Sequence, residues 1–141
     1  MHRWAYTAVL LLVGMSTSLA LSPEKLYLLH CMGCHGSKGE GIPGRVPTLR
    51  GFVGYFVYIP EGRAFLIQVP GVANSSLSDA ELAEVTNWIL RTFSPEQLPK
   101  DFRPYSPEEV TQLRRKAPLL EVSPVREAIL QKLRSMGIIK P

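Results

Sequence analysis

Apolar residues recur at helical spacing in the stretch that follows Ser78. Four of them stand three or four positions apart, which places them on one face of an α-helix: Leu82, Val85, Ile89 and Phe93. Ser78 and Glu81 have the spacing of a capping box, the signature of a helix start. The pattern therefore predicts an amphipathic helix from about residue 79 to residue 93.

A second helix is predicted earlier in the chain. Ser22 suits the N-cap, Pro23 the first helical position, and Glu24 the acidic first turn. Leu26 and Leu29 follow at helical spacing and lead directly into a pair of cysteines. The pattern thus predicts a helix that carries the cysteines at its end.

The middle of the chain is rich in residues that break helices. Glycine and proline crowd residues 36–54, which predicts a loop with turns. Residues 55–59 favour a strand on propensity, because they are aromatic and β-branched. A short helix over residues 61–68 is the other alternative for this region, and the sequence leaves the choice open.

The last third of the chain has its own pattern. Prolines punctuate residues 94–107 and predict a linker with little helix. Two helices are expected after it, one from Pro107 through Arg115 and one from Pro124 through Met136. This tail is basic, and it could either wrap the domain or dock a partner.

The first 20 residues have the order of a secretory signal peptide. A positive charge at Arg3 precedes an apolar run over residues 5–14, and small residues follow at Ser18 and Ala20. The apolar run is shorter than the roughly 20 residues of a membrane span. We therefore predict cleavage after Ala20 rather than an uncleaved anchor, a periplasmic protein, and no stable membrane span after cleavage.

The composition and charge of the chain argue against some classes of function. The chain has 16 Lys and Arg against 12 Asp and Glu, a formal net charge of +4 at pH 7. This weak basic excess is not clustered as nucleic-acid binding requires, so no nucleic-acid partner is expected. It allows mild steering toward an acidic protein. The two cysteines, Cys31 and Cys34, would close too short a loop for a useful disulfide, so they are expected to serve another purpose.

That purpose is indicated by the residue that follows them. Cys31-Met32-Gly33-Cys34-His35 is a C-x-x-C-H sequence, the attachment signature of haem c. Two thiols at this spacing can add to the two vinyl groups of haem as thioethers. The next residue, His35, can then place an imidazole nitrogen on the iron. We therefore predict one covalent haem c, bound through Cys31 and Cys34, with His35 as the proximal iron ligand.

Two other interpretations of the cysteines are weaker. A structural zinc site needs four nitrogen or sulfur ligands. His30 with the three motif residues supplies that number, but a single turn could hardly wrap them around a tetrahedron. A thioredoxin-like redox pair would lie in a βαβ pattern, and the sequence has none.

With this motif, residues 24–93 resemble a class I c-type cytochrome. The pieces come in that family's order: a helix ending in CMGCH, a Gly-rich loop, Val46-Pro47-Thr48-Leu49, and a closing helix that contains Trp88. The resemblance implies an all-α, cytochrome c-like small helical domain around one haem, here with an additional C-terminal helical tail. It also implies that the Pro47 carbonyl accepts the Nδ1–H of His35, and that Trp88 packs against the first helix.

The family's second iron ligand is missing from its usual place. The resemblance implies a Met in the loop ahead of the closing helix, but Val69 stands there, and valine has no lone pair to give. His30 is excluded because it precedes the motif on the proximal helix. Three alternatives stay open: an empty or water-bound sixth site, Met136 folding back from the tail, or a substitute such as Asn74, Tyr55, Tyr58 or a partner's side chain.

The sequence thus predicts three segments: a signal peptide (1–20), a cytochrome c domain (21–93), and a Pro-rich linker with a basic helical tail (94–141). One haem without a catalytic constellation favours an electron carrier, not an enzyme, that relays electrons between a dehydrogenase and the respiratory chain. Its partner would be a dehydrogenase, an oxidase or another cytochrome, with the tail as a docking arm. The alternative is a protein that binds or senses CO, NO or O2 at an open distal site.

Overall fold

A computed structural model describes residues 20–116 and 118–140. The predicted signal peptide lies outside the described residues, apart from Ala20. In the described part no strand forms, and the only pairing of that kind is an isolated bridge between Ile42 and Val46. The helices of this part are α1 (Pro23–His30), α2 (Met32–His35), α3 (Pro60–Gln68), α4 (Pro70–Ala73), α5 (Asp79–Phe93), α6 (Pro107–Arg114) and α7 (Val122–Ser135), with 3₁₀ turns over Val53–Tyr58 and Pro95–Gln97. The expected all-α fold is confirmed.

Serine caps open three of these helices. Ser22 accepts a hydrogen bond from the Lys25 N–H at 3.4 Å and begins α1. At α5 the predicted capping box is present: Ser78 Oγ accepts the Glu81 N–H at 3.2 Å, and the Glu81 carboxylate accepts the Ser78 N–H at 2.9 Å. Ser106 caps α6 in the same way as Ser22 caps α1. Local sequence signals therefore set these helix starts, as expected.

The segment ahead of Pro60 resolves the alternative that the sequence left open. Val53–Tyr58 forms a 3₁₀ turn rather than a strand, and α3 follows from Pro60. Val53, Phe56 and Val57 are buried. Val53 and Val57 pack in the core cluster that contains Tyr27, and Phe56 packs in a second cluster. Burial therefore overrides the strand propensity of these residues.

Helices α1 and α5 pack against each other through aromatic rings. Tyr27 on α1 is completely buried. The centroid of its ring lies 5.4 Å from that of Trp88 and 5.1 Å from that of Phe93, both on α5. Tilted rings at these distances are a favoured arrangement of aromatic quadrupoles. The expected packing of Trp88 on the first helix is confirmed, and it fixes the end of α1 from which the cysteines follow.

The tail is packed onto the rest of the protein. Val110 on α6 is fully buried in the core cluster that also contains Leu26 and Tyr27. Leu133 on α7 is fully buried in a second cluster, together with Phe56 and Phe65. The two tail helices form close to their predicted positions. In the described part of the chain the tail therefore wraps the domain, and its role in docking a partner stays a prediction.

Candidate haem site

The two cysteines lie on one helical turn at the end of α1. Cys31 follows His30, the last residue of α1, and α2 carries Cys34 and His35. The backbone N–H groups of Cys34 and His35 both donate to the Cys31 carbonyl, at 3.2 and 3.0 Å. These bonds hold two thiols and an imidazole on one short stretch of ordered backbone. The spacing of the C-x-x-C-H sequence is thus realised as a helical turn.

His35 is oriented by a contact with the following loop. Its Nδ1 lies 3.2 Å from the carbonyl oxygen of Pro47. When Nδ1 carries the proton and donates it to this carbonyl, the lone pair of the imidazole resides on Nε2. A histidine that ligates a metal commonly has its other nitrogen bonded to a carbonyl in this way. The structure therefore brings together the two residues that the family resemblance paired.

Gly41 makes the approach of Pro47 to His35 geometrically feasible. Its φ is +70°, a left-handed conformation that glycine adopts readily. Its N–H donates to the His35 carbonyl at 2.8 Å. A Cβ added at this position would lie 2.8 Å from the Pro47 carbonyl oxygen. Gly41 thus allows close contact with the backbone segment that supplies the acceptor for His35.

Burial affects the protonation of His35. Desolvation lowers the pKa of this imidazole, and the hydrogen bond to Pro47 acts in the opposite direction. The net shift is downward, which favours the neutral ring. A neutral imidazole is the form that binds a metal. The environment of His35 would therefore suit a histidine that binds haem iron.

The cysteines differ in their surroundings. No disulfide joins them; Cys31 is partly buried and Cys34 is exposed. Burial, with a smaller contribution from neighbouring Cys34, raises the pKa of Cys31 to about 11. Between them, a Cβ added at Gly33 would meet no atom within 4 Å. The backbone at the centre of the motif is therefore open, as the edge of a porphyrin requires.

Several large apolar residues close to the motif in sequence are exposed on the protein surface. Leu28 is 42% exposed, Leu29 67% and Met32 37%. Ile42, on the loop that follows the motif, is 39% exposed. These apolar residues, near the motif in sequence, offer surface that suits a porphyrin, while the two thiols and the imidazole supply the groups that attach it and bind its iron. The residues present therefore fit a covalently bound haem.

One further anchor of this region has no signal in the sequence. The hydroxyl of Tyr27 donates to the carbonyl of Gly36 at 2.5 Å and ties the start of the loop to α1. The sequence indicates only apolar bulk at Tyr27, because no local motif shows the target of its hydroxyl. The sequence likewise gives no sign that Gly41 lies close to Pro47, since Gly41 stands in a run of glycines that all suggest turns.

Val69, at the usual position of the distal ligand, and the candidates that could replace it have different surroundings. Val69 lies between α3 and α4, and its side chain packs against the second core cluster. Met136 caps the C-terminus of α7 and is 53% exposed. Asn74 is exposed in the loop after α4, Tyr58 is 38% exposed, and Tyr55 is partly buried. The identity of the sixth ligand remains a prediction with the alternatives given above.

Two further properties concern residues 20–116 and 118–140. No group of three or more His, Cys, Asp or Glu side chains in these ranges is arranged to hold a metal ion by itself. None of the helices described has the length and the apolar character needed to span a membrane. The first observation gives no support to the zinc interpretation of the cysteines.

Comparisons with known proteins agree with this geometry. A sequence model of the family described as "Cytochrome c" matches residues 23–93. A curated relative named "Cytochrome c-552", from Thermus thermophilus, is 35% identical over 127 residues, which cover 77% of this chain and 84% of the relative. A second protein with the same name, also from Thermus thermophilus, is 36% identical over 110 residues, which cover 65% and 83%. The chain therefore belongs to the cytochrome c family: it is a class I c-type cytochrome, an all-helical electron-transfer protein that carries covalently bound haem c.

Proposed function

We propose that this protein is a periplasmic electron carrier that relays electrons between a dehydrogenase and the respiratory chain. In this proposal Cys31 and Cys34 hold the haem through thioether bonds, and His35 is the proximal ligand of the iron. Residues 1–20 are removed on export, residues 21–93 form the haem-carrying domain, and residues 94–141 form a linker and tail that wrap it. The partner is a dehydrogenase, an oxidase or another cytochrome.

The observation that carries this proposal is the 3.2 Å contact between His35 Nδ1 and the Pro47 carbonyl. It fixes the ring of His35 beside two thiols held on the same helical turn. A hydrogen-bonded imidazole is a more basic ligand, so Pro47 would strengthen the bond between His35 and iron. Bound haem supplies an iron that exchanges one electron between its ferrous and ferric states. The chain supplies attachment, orientation and an apolar surround.

The haem assignment is tested by expressing the protein with a haem-attachment system and recording a pyridine haemochrome spectrum. The double substitution Cys31→Ser with Cys34→Ser is expected to abolish covalent haem, as judged by haem staining on a denaturing gel. His35→Ala is expected to lose the proximal ligand and change the absorbance spectrum. Met32→Ala, within the same turn, is the control and should retain the haem. A colourless wild-type protein with two free thiols would overturn the assignment.

Export and partner choice require separate measurements. Cell fractionation should place the protein in the periplasm, and N-terminal sequencing of the mature form should begin at Leu21. Stopped-flow mixing with a candidate dehydrogenase should then reduce the haem at a rate that falls as salt increases, because a basic carrier is steered toward an acidic partner. A cytoplasmic protein that retains residues 1–20 would contradict the proposed location.

A second candidate function rests on the surroundings of Val69. This residue stands where the family resemblance implies a Met, and its side chain packs against the apolar cluster that contains Phe65. A haem without a Met ligand is expected to bind small molecules at iron, so the protein could instead bind or sense CO, NO or O2. Rapid CO binding by the ferrous protein and a high-spin ferric spectrum would favour this function. A low-spin ferric spectrum with a sulfur-to-iron band would point to Met136.

A further inference from the structure

Arg114, on α6, is the centre of a hydrogen-bond network with the loop that precedes α5. Its guanidinium donates to three backbone carbonyls between the end of α4 and α5, those of Ala73 (3.1 Å), Ser75 (2.9 Å) and Leu77 (2.9 Å). A fourth acceptor is the carboxylate of Asp79, 2.7 Å from Nη1. The acceptors come from every second residue, so one planar cation holds the loop along its length. Only arginine offers donors in such a fork.

Other contacts tie both ends of this segment to α6. At one end, the hydroxyl of Thr111 donates to the Asp79 carboxylate. At the other, the side-chain amide of Gln68, the last residue of α3, donates to the Leu113 carbonyl at 3.2 Å. The tail helix therefore bridges the chain between α3 and α5. Within this bridge, Arg114 makes the contacts with the loop itself.

The loop also contains a polar group that the described residues leave unused. The Ser75 hydroxyl is buried and has no hydrogen-bond partner in the part of the chain that the structure describes. A buried hydroxyl without a hydrogen-bond partner lowers the stability of the fold, so its presence calls for a structural or functional explanation. The Ser75 carbonyl is held by Arg114, so the same residue that fixes the loop also fixes the backbone that carries this hydroxyl.

We propose that Arg114 is a positioning residue for the distal side of the haem. This inference rests on the proposed function, in which Cys31, Cys34 and His35 hold the haem, and on the family resemblance, which implies that the loop ahead of the closing helix faces the side of the haem opposite His35. Arg114 keeps residues 73–79 in one conformation and thereby controls how readily an external ligand reaches the iron. Through Arg114, the C-terminal tail therefore sets the rate and affinity with which an external ligand binds the iron of a haem that is attached near the N-terminus.

The proposal is tested on the haem-loaded protein with Arg114→Gln and Arg114→Lys. Arg115→Gln is the matched control, because it removes the neighbouring exposed arginine of the same helix end. Two quantities are measured: amide hydrogen exchange in residues 73–79, and the rate and affinity of imidazole binding to the ferric iron. A pyridine haemochrome spectrum of each variant reports haem content separately. Asp79→Asn, which retains the carbonyl contacts of Arg114, serves as a milder second variant.

We expect exchange in residues 73–79 and imidazole binding each to rise about tenfold in Arg114→Gln, since several charge-assisted hydrogen bonds are lost. Arg114→Lys should resemble Arg114→Gln, Asp79→Asn should change both quantities in the same direction by less, and Arg115→Gln should match the wild type. Unchanged exchange in the Arg114 and Asp79 variants would overturn the proposal. Faster exchange with unchanged imidazole binding would also overturn it, because the loop would then not govern the iron. A wild-type protein without covalent haem would instead be a failure of the proposed function.

Discussion

Arg63 and Glu109 form a two-pronged ion pair that joins α3 to α6. Nε of Arg63 lies 2.8 Å from Oε1 of Glu109, and Nη2 lies 2.7 Å from Oε2. The Arg63 side chain is only 10% exposed, and its third donor reaches the carbonyl of Arg103 at 2.9 Å. The ring of Tyr105 covers the guanidinium at 4.1 Å from its centroid. This largely buried ion pair thus holds the tail against the haem-carrying domain.

Removing the carboxylate of this pair should destabilise the protein markedly. Glu109→Gln leaves the largely buried Arg63 cation without its counter-charge, so we expect a loss of about 2 kcal/mol in the free energy of unfolding. Chemical denaturation at neutral pH measures this loss. Glu108→Gln is the control, because Glu108 is an exposed acid in the same first turn of α6. Equal losses in the two variants would show that the helix terminus, and not the ion pair, is responsible.

The hydroxyl of Tyr27 should contribute separately from its ring. Tyr27→Phe keeps the packing against Trp88 and Phe93 but removes the hydrogen bond to the Gly36 carbonyl. The expected cost is about 1 kcal/mol, since the partly buried Gly36 carbonyl then keeps only the longer hydrogen bond from the Gly39 N–H, at 3.4 Å. Tyr58→Phe, at a residue that is 38% exposed, is the control and should be nearly neutral. Thermal or chemical unfolding of both variants would decide, and a neutral Tyr27→Phe would contradict the role of this bond.

Glycine at position 41 should be required for the contact between His35 and Pro47. Gly41 and Gly44 both have positive φ, so alanine at either position costs about 1–3 kcal/mol of backbone strain. Only at Gly41 would the added Cβ also press on Pro47; at Gly44 it would meet nothing within 4 Å. Gly41→Ala should therefore shift the reduction potential and the NMR signal of the His35 ring, whereas Gly44→Ala should lower stability alone. The same potential in both variants would contradict this assignment.

The stability of the protein should fall in acid partly through Asp79. The hydrogen bond from Thr111 and the ion pair with Arg114 hold the pKa of this carboxyl below its usual value. A folded-state pKa below the unfolded one means that the carboxylate stabilises the fold above the unfolded pKa, at about pH 4 and higher. This contribution is lost as the pH falls through the folded-state pKa.

Urea denaturation of the wild type and Asp79→Asn over a range of pH tests this expectation. The difference between their midpoints should be full at pH 7 and shrink as the pH falls below about 4. Because the Asp79 side chain is 32% exposed, the difference should be modest and should decrease with salt. Asp101→Asn, at an exposed aspartate, is the control substitution. A difference that stays constant from pH 7 to the acid range would contradict the prediction.

The sequence by itself determined the features that depend on neighbouring residues. The C-x-x-C-H turn, the serine caps of α1 and α5, and the capping box of Ser78 with Glu81 are all predicted and present. Each is closed by hydrogen bonds over three or four positions, so local residue order is sufficient to specify it. The contact between His35 and Pro47, 12 positions apart, could be anticipated only through resemblance to a family.

Tertiary structure decided the rest. Val53–Tyr58 is a turn rather than a strand, and three of its side chains are buried in the two core clusters. The tail wraps the domain because Arg63 finds Glu109, 46 positions away, and Arg114 finds carbonyls 37 to 41 positions away. No local sequence pattern predicts such pairs. An arginine is expected on the surface from sequence alone, and it becomes buried and hydrogen-bonded only when packing brings acceptors to it. Burial and long-range pairing are properties of the folded chain, since the free energy that selects them is released only when distant segments exclude water together.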